Sequence, residues 1–295
     1  MYLLKHYVNL GKGRALKDAF NYLLNDPEVI GCVTADSDGQ HTVEDISRCV
    51  RKLEKAPDKL ILGCRNFDLD NIPRKSVFGN KLTRKVCKWL CGVDVSDTQT
   101  GLRAIPRDFM AHLLNTHGER FEFETNMLVE SRNRIQIIEV PIETIYDSKT
   151  GHKTHFDPIR DSLVIYRIFA KIFLRYIISS LSSSVLDILL FHFICMALKE
   201  MRLVFYVAAA TVIARIVSAT YNYLVNYHFV FNSEKSRSVS FARYAILAIV
   251  QMSLSAVLVS VGVLLLPFVP EVLVKIAVDT ALFFISYKVQ QMYVF

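Results

Sequence analysis

The stretch Val29–His41, VIGCVTADSDGQH, drives a β-prone apolar run into two aspartates one residue apart and then turns. Side chains alternate faces along a strand, so Asp36 and Asp38 point the same way at its end. Two carboxylates so placed repel unless a cation or a donor network lies between them. A hard divalent ion, Mg²⁺ or Mn²⁺, meets that need, because such ions take oxygen ligands and bridge to substrate phosphates. A plain turn is the other reading, since Asp, Ser and Gly are ordinary turn residues. The motif alone leaves both open.

Outward from this stretch, element types alternate. GRALKDAFNYLL before it repeats Leu16, Phe20, Leu23 and Leu24 at helical spacing, and VEDISRCVRKLEK after it sets Val43, Ile46, Val50 and Leu53 on one face. KLILGCR reads as a buried strand, SVFGNKLTRKVCKWL and FEFETNMLVESRN as helices, and IQIIEVPIETIY as a strand containing Pro141. Strands alternating with helices predict an α/β domain with a mostly parallel sheet. Ligands of such sheets bind beyond the carboxyl ends of strands, where Asp36 and Asp38 fall.

The character changes near residue 157. DPIRDSLVIYRIFAKIFLRY mixes Arg160, Arg167, Lys171 and Arg175 with apolar residues, the pattern of a helix lying in the headgroup layer or of a plain linker helix. Apolar stretches at residues 176–198, 203–227, 244–268 and 271–293 each reach the ~20 residues that cross a bilayer. This predicts an all-α domain of four transmembrane helices. Lys235, Arg237 and Arg243 between the second and third stretches, and the basic segment before the first, belong on the cytoplasmic side, while PFVPEV lacks Lys and Arg. Within the apolar stretches lie Asp187, Arg215, Lys275 and Asp279, either paired as structural glue or lining a route for a charged headgroup. Arg215 has Asp187 and Asp279 as candidate partners, and Asn222 and Asn226, one turn apart, suit interhelical hydrogen bonds.

Composition agrees with this division. Of the 295 residues, 52% are hydrophobic; residues 1–160 hold 24 Lys+Arg against 22 Asp+Glu, and residues 161–295 hold 11 against 6. The first part is charge-dense and nearly balanced, and the second is sparse in charge and basic. That basic excess sits around apolar stretches, which points to a membrane rather than nucleic acid. The six cysteines form no C-x-x-C pair; Cys87 and Cys91 read as small residues on one helix face, and a reducing compartment fits. The opening MYLLKHYVNLGKG turns polar too early for a signal-peptide core.

Taken in order, NLGKGRALKDAF, VTADSDGQH, DTQTGLRAIPRDF, FEFETNML and EVPIETIY resemble the family 2 glycosyltransferases of GT-A fold, in the polyprenyl-phosphate branch that includes dolichyl-phosphate mannose synthase. The tail, with NYLVNYHFVF and KVQQMYVF, resembles the GtrA family of small membrane proteins. DSDG also resembles the opening of haloacid-dehalogenase-type phosphatases, but a strand and a helix precede it and no later acidic pair accompanies it. The glycosyltransferase resemblance implies an inverting hexosyl transfer from a nucleotide-sugar to a polyprenyl phosphate at the cytoplasmic face of the plasma membrane. By similarity, Asp36, Asp38 and Gln40 bind the metal and diphosphate, and Asp97, Gln99 and Thr100 shape the sugar pocket. The acceptor is already an anion, so cations matter more than a base: Arg65, Arg74, Lys75 and Arg103 are candidates, and Lys149, Lys153 and His155 are expected to cover the site. Measured against that family the chain begins at the third strand. Its expected organisation is a truncated GT-A domain over 1–157, an interfacial helix over 158–175 and a GtrA-like domain over 176–295. A non-catalytic lipid-sugar translocator or partner with a remnant first domain is the second reading; a homo-oligomer is open under either.

Overall fold

The computed structural model describes residues 2–65, 74–143, 160–200 and 206–295. The chain divides into two compact units, Met1–Ala170 and Lys171–Phe295.

In the first unit β1 (Gly31–Thr34), β2 (Lys59–Arg65) and β4 (Gln136–Ile142) run in one direction, and β3 (Arg103–Pro106) runs against them in the order β1-β3-β2-β4. The sheet is therefore mixed, not mostly parallel: only β2 with β4 is a parallel pair. Loop geometry gives the reason. The segment before β3 already lies at the carboxyl ends of β1 and β2, where Thr34 Oγ1 donates to Gly101 O at 2.9 Å and the Thr100 hydroxyl donates to Gly63 O. A strand that starts at that edge has to run back. Pro141 sits in the edge strand β4, where its missing N–H breaks no ladder.

Helices α1 (Lys12–Leu24), α2 (Val43–Lys55), α3 (Arg74–Val86), α4 (Arg107–Leu113) and α5 (Glu122–Ser131) accompany this sheet, and a π-turn, π1 (Cys87–Cys91), ends α3. Thr42 caps α2 by accepting from Asp45 N at 3.1 Å, with Glu44 and Asp45 in the first turn and Lys52 and Lys55 in the last. The buried face of α2 keeps Ile46 and Leu53 of the expected four residues but not Val43 and Val50. Cys49 and Leu53 join Ile61, Leu102, Ala104 and Ile142 in the core with Ile46 against them, while Val43 is 74% exposed and Val50 is also exposed. Asp45 turns the helix inward, because its buried carboxylate accepts Glu143 N at 3.1 Å beyond β4. The buried thiols are poor nucleophiles: burial pushes Cys64 and Cys32 up to about 12 and Cys49 to about 11.

The second unit is helical. Helix α6 (Arg160–Glu200) begins in the first unit and runs unbroken for 41 residues, about 60 Å at 1.5 Å per residue, so the expected interfacial helix and first apolar stretch are one element. After it come α7 (Tyr206–Val225), π2 (Asn226–Val230), α8 (Arg237–Leu265), α9 (Glu271–Val289) and π3 (Gln290–Val294). Among the described residues two helices are long and apolar enough to cross a membrane, Leu163–Lys199 and Arg237–Leu265, where the sequence pattern had given four. Helix α9 misses that standard because Glu271, Lys275, Asp279 and Lys288 fall within its 19 residues; α7 is 20 residues long over its described part. The unit's core is aromatic, built from Tyr176, Tyr223, Tyr227, Phe231, Tyr287 and Phe295.

If α2 is seated as described, Leu53→Ala should lower unfolding stability by about 2–4 kcal/mol, and Val43→Ala by less than about 0.5 kcal/mol. Pulse proteolysis of the detergent-solubilised chain in urea measures both.

Candidate active site

The carboxyl ends of β1 and β2 meet the start of β3, since Thr34 and Leu62 both pair with Arg103. Sequence-distant groups gather there. Asp36 follows β1, and its carboxylate rests on the backbone of Gly101: a Cβ built at residue 101 would lie 2.1 Å from Asp36 Oδ2. Only glycine allows that approach.

Lys12, at the start of α1, donates from Nζ to Asp36 Oδ1 at 2.6 Å and pairs with Glu124 Oε1 on α5 at 2.9 Å. Burial pushes the ammonium pKa down, but Glu124 and Asp36 together outweigh it, so Lys12 titrates above its ordinary range. Its position depends on Gly11, which has φ 97° and whose Cβ would lie 2.3 Å from Glu119 O. His41 Nε2 lies 3.9 Å from Asp36 Oδ2, and its buried Nδ1 has no hydrogen-bond partner among the described residues. Lys12, His41, Gly101 and Glu124 were not singled out in the sequence. NLGKG and FEFET carried the signal for two of them, but nothing in the chain order says that Lys12 and Glu124 touch.

The expected residues divide by environment. Strand β1 ends at Thr34, so strand alternation does not reach Asp36 and Asp38; Asp38 is exposed and accepts Gln40 N at 3.1 Å, as the turn reading of DSDG has it. Asp97 is buried and grips Arg65 with two bonds, from Nε to Oδ2 at 2.6 Å and from Nη2 to Oδ1 at 3.1 Å, while its Oδ1 accepts Gln99 N at 3.1 Å. An expected acceptor cation and an expected sugar-pocket acid are therefore each other's partners. Gln99 is exposed, and Thr100 is buried with its hydroxyl on Gly63 O.

Arg103 has a different task from the one expected. It is 1% exposed, and its guanidinium donates to Thr100 O at 2.9 Å, Glu124 O at 2.7 Å and Thr98 O at 3.5 Å. Burial lowers its pKa, with Glu124 and Asp97 opposing that shift. Committed to carbonyls, it builds the floor of the site and is not available to a phosphate. Arg74 and Lys75 open α3 just past β2; Lys149, Lys153 and His155 lie outside the described residues.

Among the described residues no group of three or more His, Cys, Asp or Glu side chains is gathered as for a metal ion. Asp36 and Asp38 still fit the oxygen-only chemistry of Mg²⁺ or Mn²⁺, which bind through one or two carboxylates with water and substrate phosphate completing the shell. In the helical unit, Arg215 pairs with Asp187 at 3.3 Å rather than with Asp279, and Ser218 Oγ donates to Asp187 at 2.7 Å. Asp279 pairs with Lys275 at 2.9 Å and accepts from Ser255 Oγ at 2.6 Å. Asn222 Nδ2 donates to Ser179 O at 3.3 Å, and Ser179 Oγ donates to Asn226 Oδ1 at 2.7 Å.

The second unit is a membrane domain of recognised type: residues 168–295 match the GtrA/DPMS transmembrane domain family. The first half is similar to sugar transferases. It is 31% identical over 160 residues to the glycosyltransferase AglJ of Haloferax volcanii, covering 53% of this chain and 50% of that protein. Over 152 residues it is 30% identical to the UDP-N-acetylglucosamine–dolichyl-phosphate N-acetylglucosaminyltransferase of Methanococcus voltae, covering 48% and 59%. An uncharacterised protein of Methanocaldococcus jannaschii is 29% identical over 148 residues, covering 48% and 60%. The chain thus spans about half to three fifths of the length of these curated relatives.

Removing the shared cation isolates its contribution. Lys12→Met should cost about 1–3 kcal/mol of stability at neutral pH, because two part-buried carboxylates lose their counter-charge. Adding Glu124→Gln should recover a measurable part of that loss in urea unfolding.

Proposed function

We propose that the first unit transfers a sugar from a nucleotide-sugar to a polyprenyl phosphate, supplying lipid-linked sugar for cell-surface glycan synthesis. The observation that carries this reading is the convergence of Asp36, Lys12 and Glu124 beyond the carboxyl end of β1, with the exposed Asp38 two residues further on. It lies in the half of the chain that is similar to a dolichyl-phosphate N-acetylglucosaminyltransferase. In the reaction an oxygen of the acceptor phosphate attacks the anomeric carbon, and the bond from that carbon to the diphosphate breaks with inversion. The nucleoside diphosphate leaves with the bonding electrons. An anionic acceptor gives up no proton, so no general base is required.

Asp36 and Asp38 would hold Mg²⁺ or Mn²⁺, which supplies positive charge to the leaving diphosphate. Lys12, already against Asp36, adds a fixed cation beside it. Gln40 joins Asp36 and Asp38 at the metal and diphosphate, Gln99 lines the sugar pocket, Arg65 keeps Asp97 in place, and Arg74, Lys75 and Lys149 meet the acceptor phosphate. Helices α6 to α9 span the bilayer, with Lys235, Arg237 and Arg243 on the cytoplasmic side of the plasma membrane.

In vesicles containing a polyprenyl phosphate, Asp38→Asn should lower transfer from radiolabelled UDP-N-acetylglucosamine about 10²-fold or more, and a chelator should abolish it until Mg²⁺ or Mn²⁺ is restored. Full transfer by that variant in the presence of chelator would exclude the metal role. For orientation, Ser236→Cys should react with an impermeant maleimide only after the cells are opened.

A further inference from the structure

Two stretches of the helical unit share a pattern. FLRY at Phe173–Tyr176 returns as FARY at Phe241–Tyr244, each at the start of the membrane part of a long helix. The following helices end alike: Tyr223, Val225, Asn226, Val230 and Phe231 in YLVNYHFVF correspond to Tyr287, Val289, Gln290, Val294 and Phe295 in YKVQQMYVF. Both helices finish in a five-residue π-turn, π2 and π3, closed in the same way: Phe231 N donates to Asn226 O at 2.9 Å, and Phe295 N to Gln290 O at 2.8 Å.

Contacts between the two halves come in reciprocal pairs. Rings of Phe173 and Tyr287 lie 5.1 Å apart at 79°, and those of Phe241 and Tyr223 lie 5.1 Å apart at 80°. Tyr223 with Phe295 and Tyr287 with Phe231 are both separated by 5.8 Å. Within each half the corresponding rings are also spaced alike, Tyr176 and Phe231 by 6.2 Å and Tyr244 and Phe295 by 6.4 Å. Each first-helix tyrosine bonds to a polar side chain of the other half, one turn apart in register: Gln290 Nε2 donates to Tyr176 Oη at 3.2 Å, and Tyr244 Oη donates to Asn222 Oδ1, whose counterpart is Ser286, at 2.8 Å. Positions that correspond to one another also meet. Asn226 Nδ2 donates to Gln290 Oε1 at 3.0 Å, and the rings of Phe231 and Phe295 stack at 5.0 Å and 17°.

We infer that residues 173–231 and 241–295 are two copies of one helical hairpin, docked on each other about an internal two-fold axis. Reciprocal exchange, in which a residue of one half meets a partner in the other and their counterparts meet in turn, is the mark of a two-fold, and equivalent residues meet where they lie near its axis. The docking surface of each hairpin is therefore self-complementary, and the partner it fits is a second hairpin of the same pattern. Asn226, Gln290, Phe231 and Phe295 are all buried, so the axis is filled at this level. A route for a charged group through the middle of the bundle would have to part them. The inference also fixes a direction: both hairpins enter and leave on one face, which sets the 232–236 linker and residue 295 on the same side. It does not rest on the sugar-transfer reading.

Exchanging the axial amides tests it in the full chain in detergent. Asn226→Gln and Gln290→Asn should each lower the melting midpoint by about 3–6 °C. The double variant, which places the long and short amides on opposite sides of the axis, should regain more than half of the summed loss. Additive losses, or single variants that lose nothing, would overturn the two-fold. Independently of stability, a short bifunctional thiol reagent should join Phe173→Cys to Tyr287→Cys and Phe241→Cys to Tyr223→Cys within one chain, as mapped by mass spectrometry after digestion. Joining of only one pair would also overturn it.

Discussion

A single ammonium group stands between two carboxylates delivered from opposite sides of the first unit. Lys12 on α1 reaches Asp36 after β1 and Glu124 on α5, and so ties together elements that are far apart in the chain. The arrangement tolerates little change: Gly101 leaves room for the Asp36 carboxylate, Gly11 turns the chain into α1, and Arg103 holds the carbonyls beneath. Three cations, Lys12, Arg65 and Arg103, thus stand against three carboxylates, Asp36, Asp97 and Glu124. With the exposed Asp38 counted, carboxylates outnumber these cations by one, so an anion brought here meets no surplus positive charge, and that is the electrostatic case for the proposed divalent ion.

Much of this was legible in the sequence. Apolar runs bounded by turn residues marked β1, β2 and β4, but the alternation expected to set Asp36 and Asp38 on one side stops at Thr34, where β1 ends. The four-residue strand β3 was not legible, because RAIP has no period of its own and is a strand only through its two neighbours. Direction failed with it, since the α/β rhythm of the other elements implied a parallel sheet. The buried face of α2 was partly misread because an aspartate occupies it, and a buried aspartate is recognisable only from the backbone group it caps. Arg103 reads as a surface cation for the same reason: its partners are carbonyls, which carry no sequence signature.

In the helical unit the positions of the polar residues were visible in the sequence, but their pairing was not. Asp187, Arg215, Lys275 and Asp279 interrupt apolar stretches and so announce themselves, yet helical spacing allows Arg215 either acid. Only the packing assigns Asp187 to Arg215 and leaves Asp279 to Lys275 and Ser255. A second set of polar side chains bonds across helices nearer the π-turns, where Asn222, Asn226, Gln290 and Ser179 are linked.

A homodimer must present the same residue on both sides of its axis, whereas a fused pair of hairpins is free to drift apart one position at a time. The amide and aromatic level has kept its likeness, as N with Q and F with F. The charged level has not: Asp187 on the first helix of one hairpin corresponds to Ser255, and Arg215 on the second helix corresponds to Asp279. The carboxylate has changed helices while keeping a serine across from it. Linkage in one chain thereby gives the membrane domain two different polar faces on a symmetric frame, a heterodimer's chemistry encoded without a second gene.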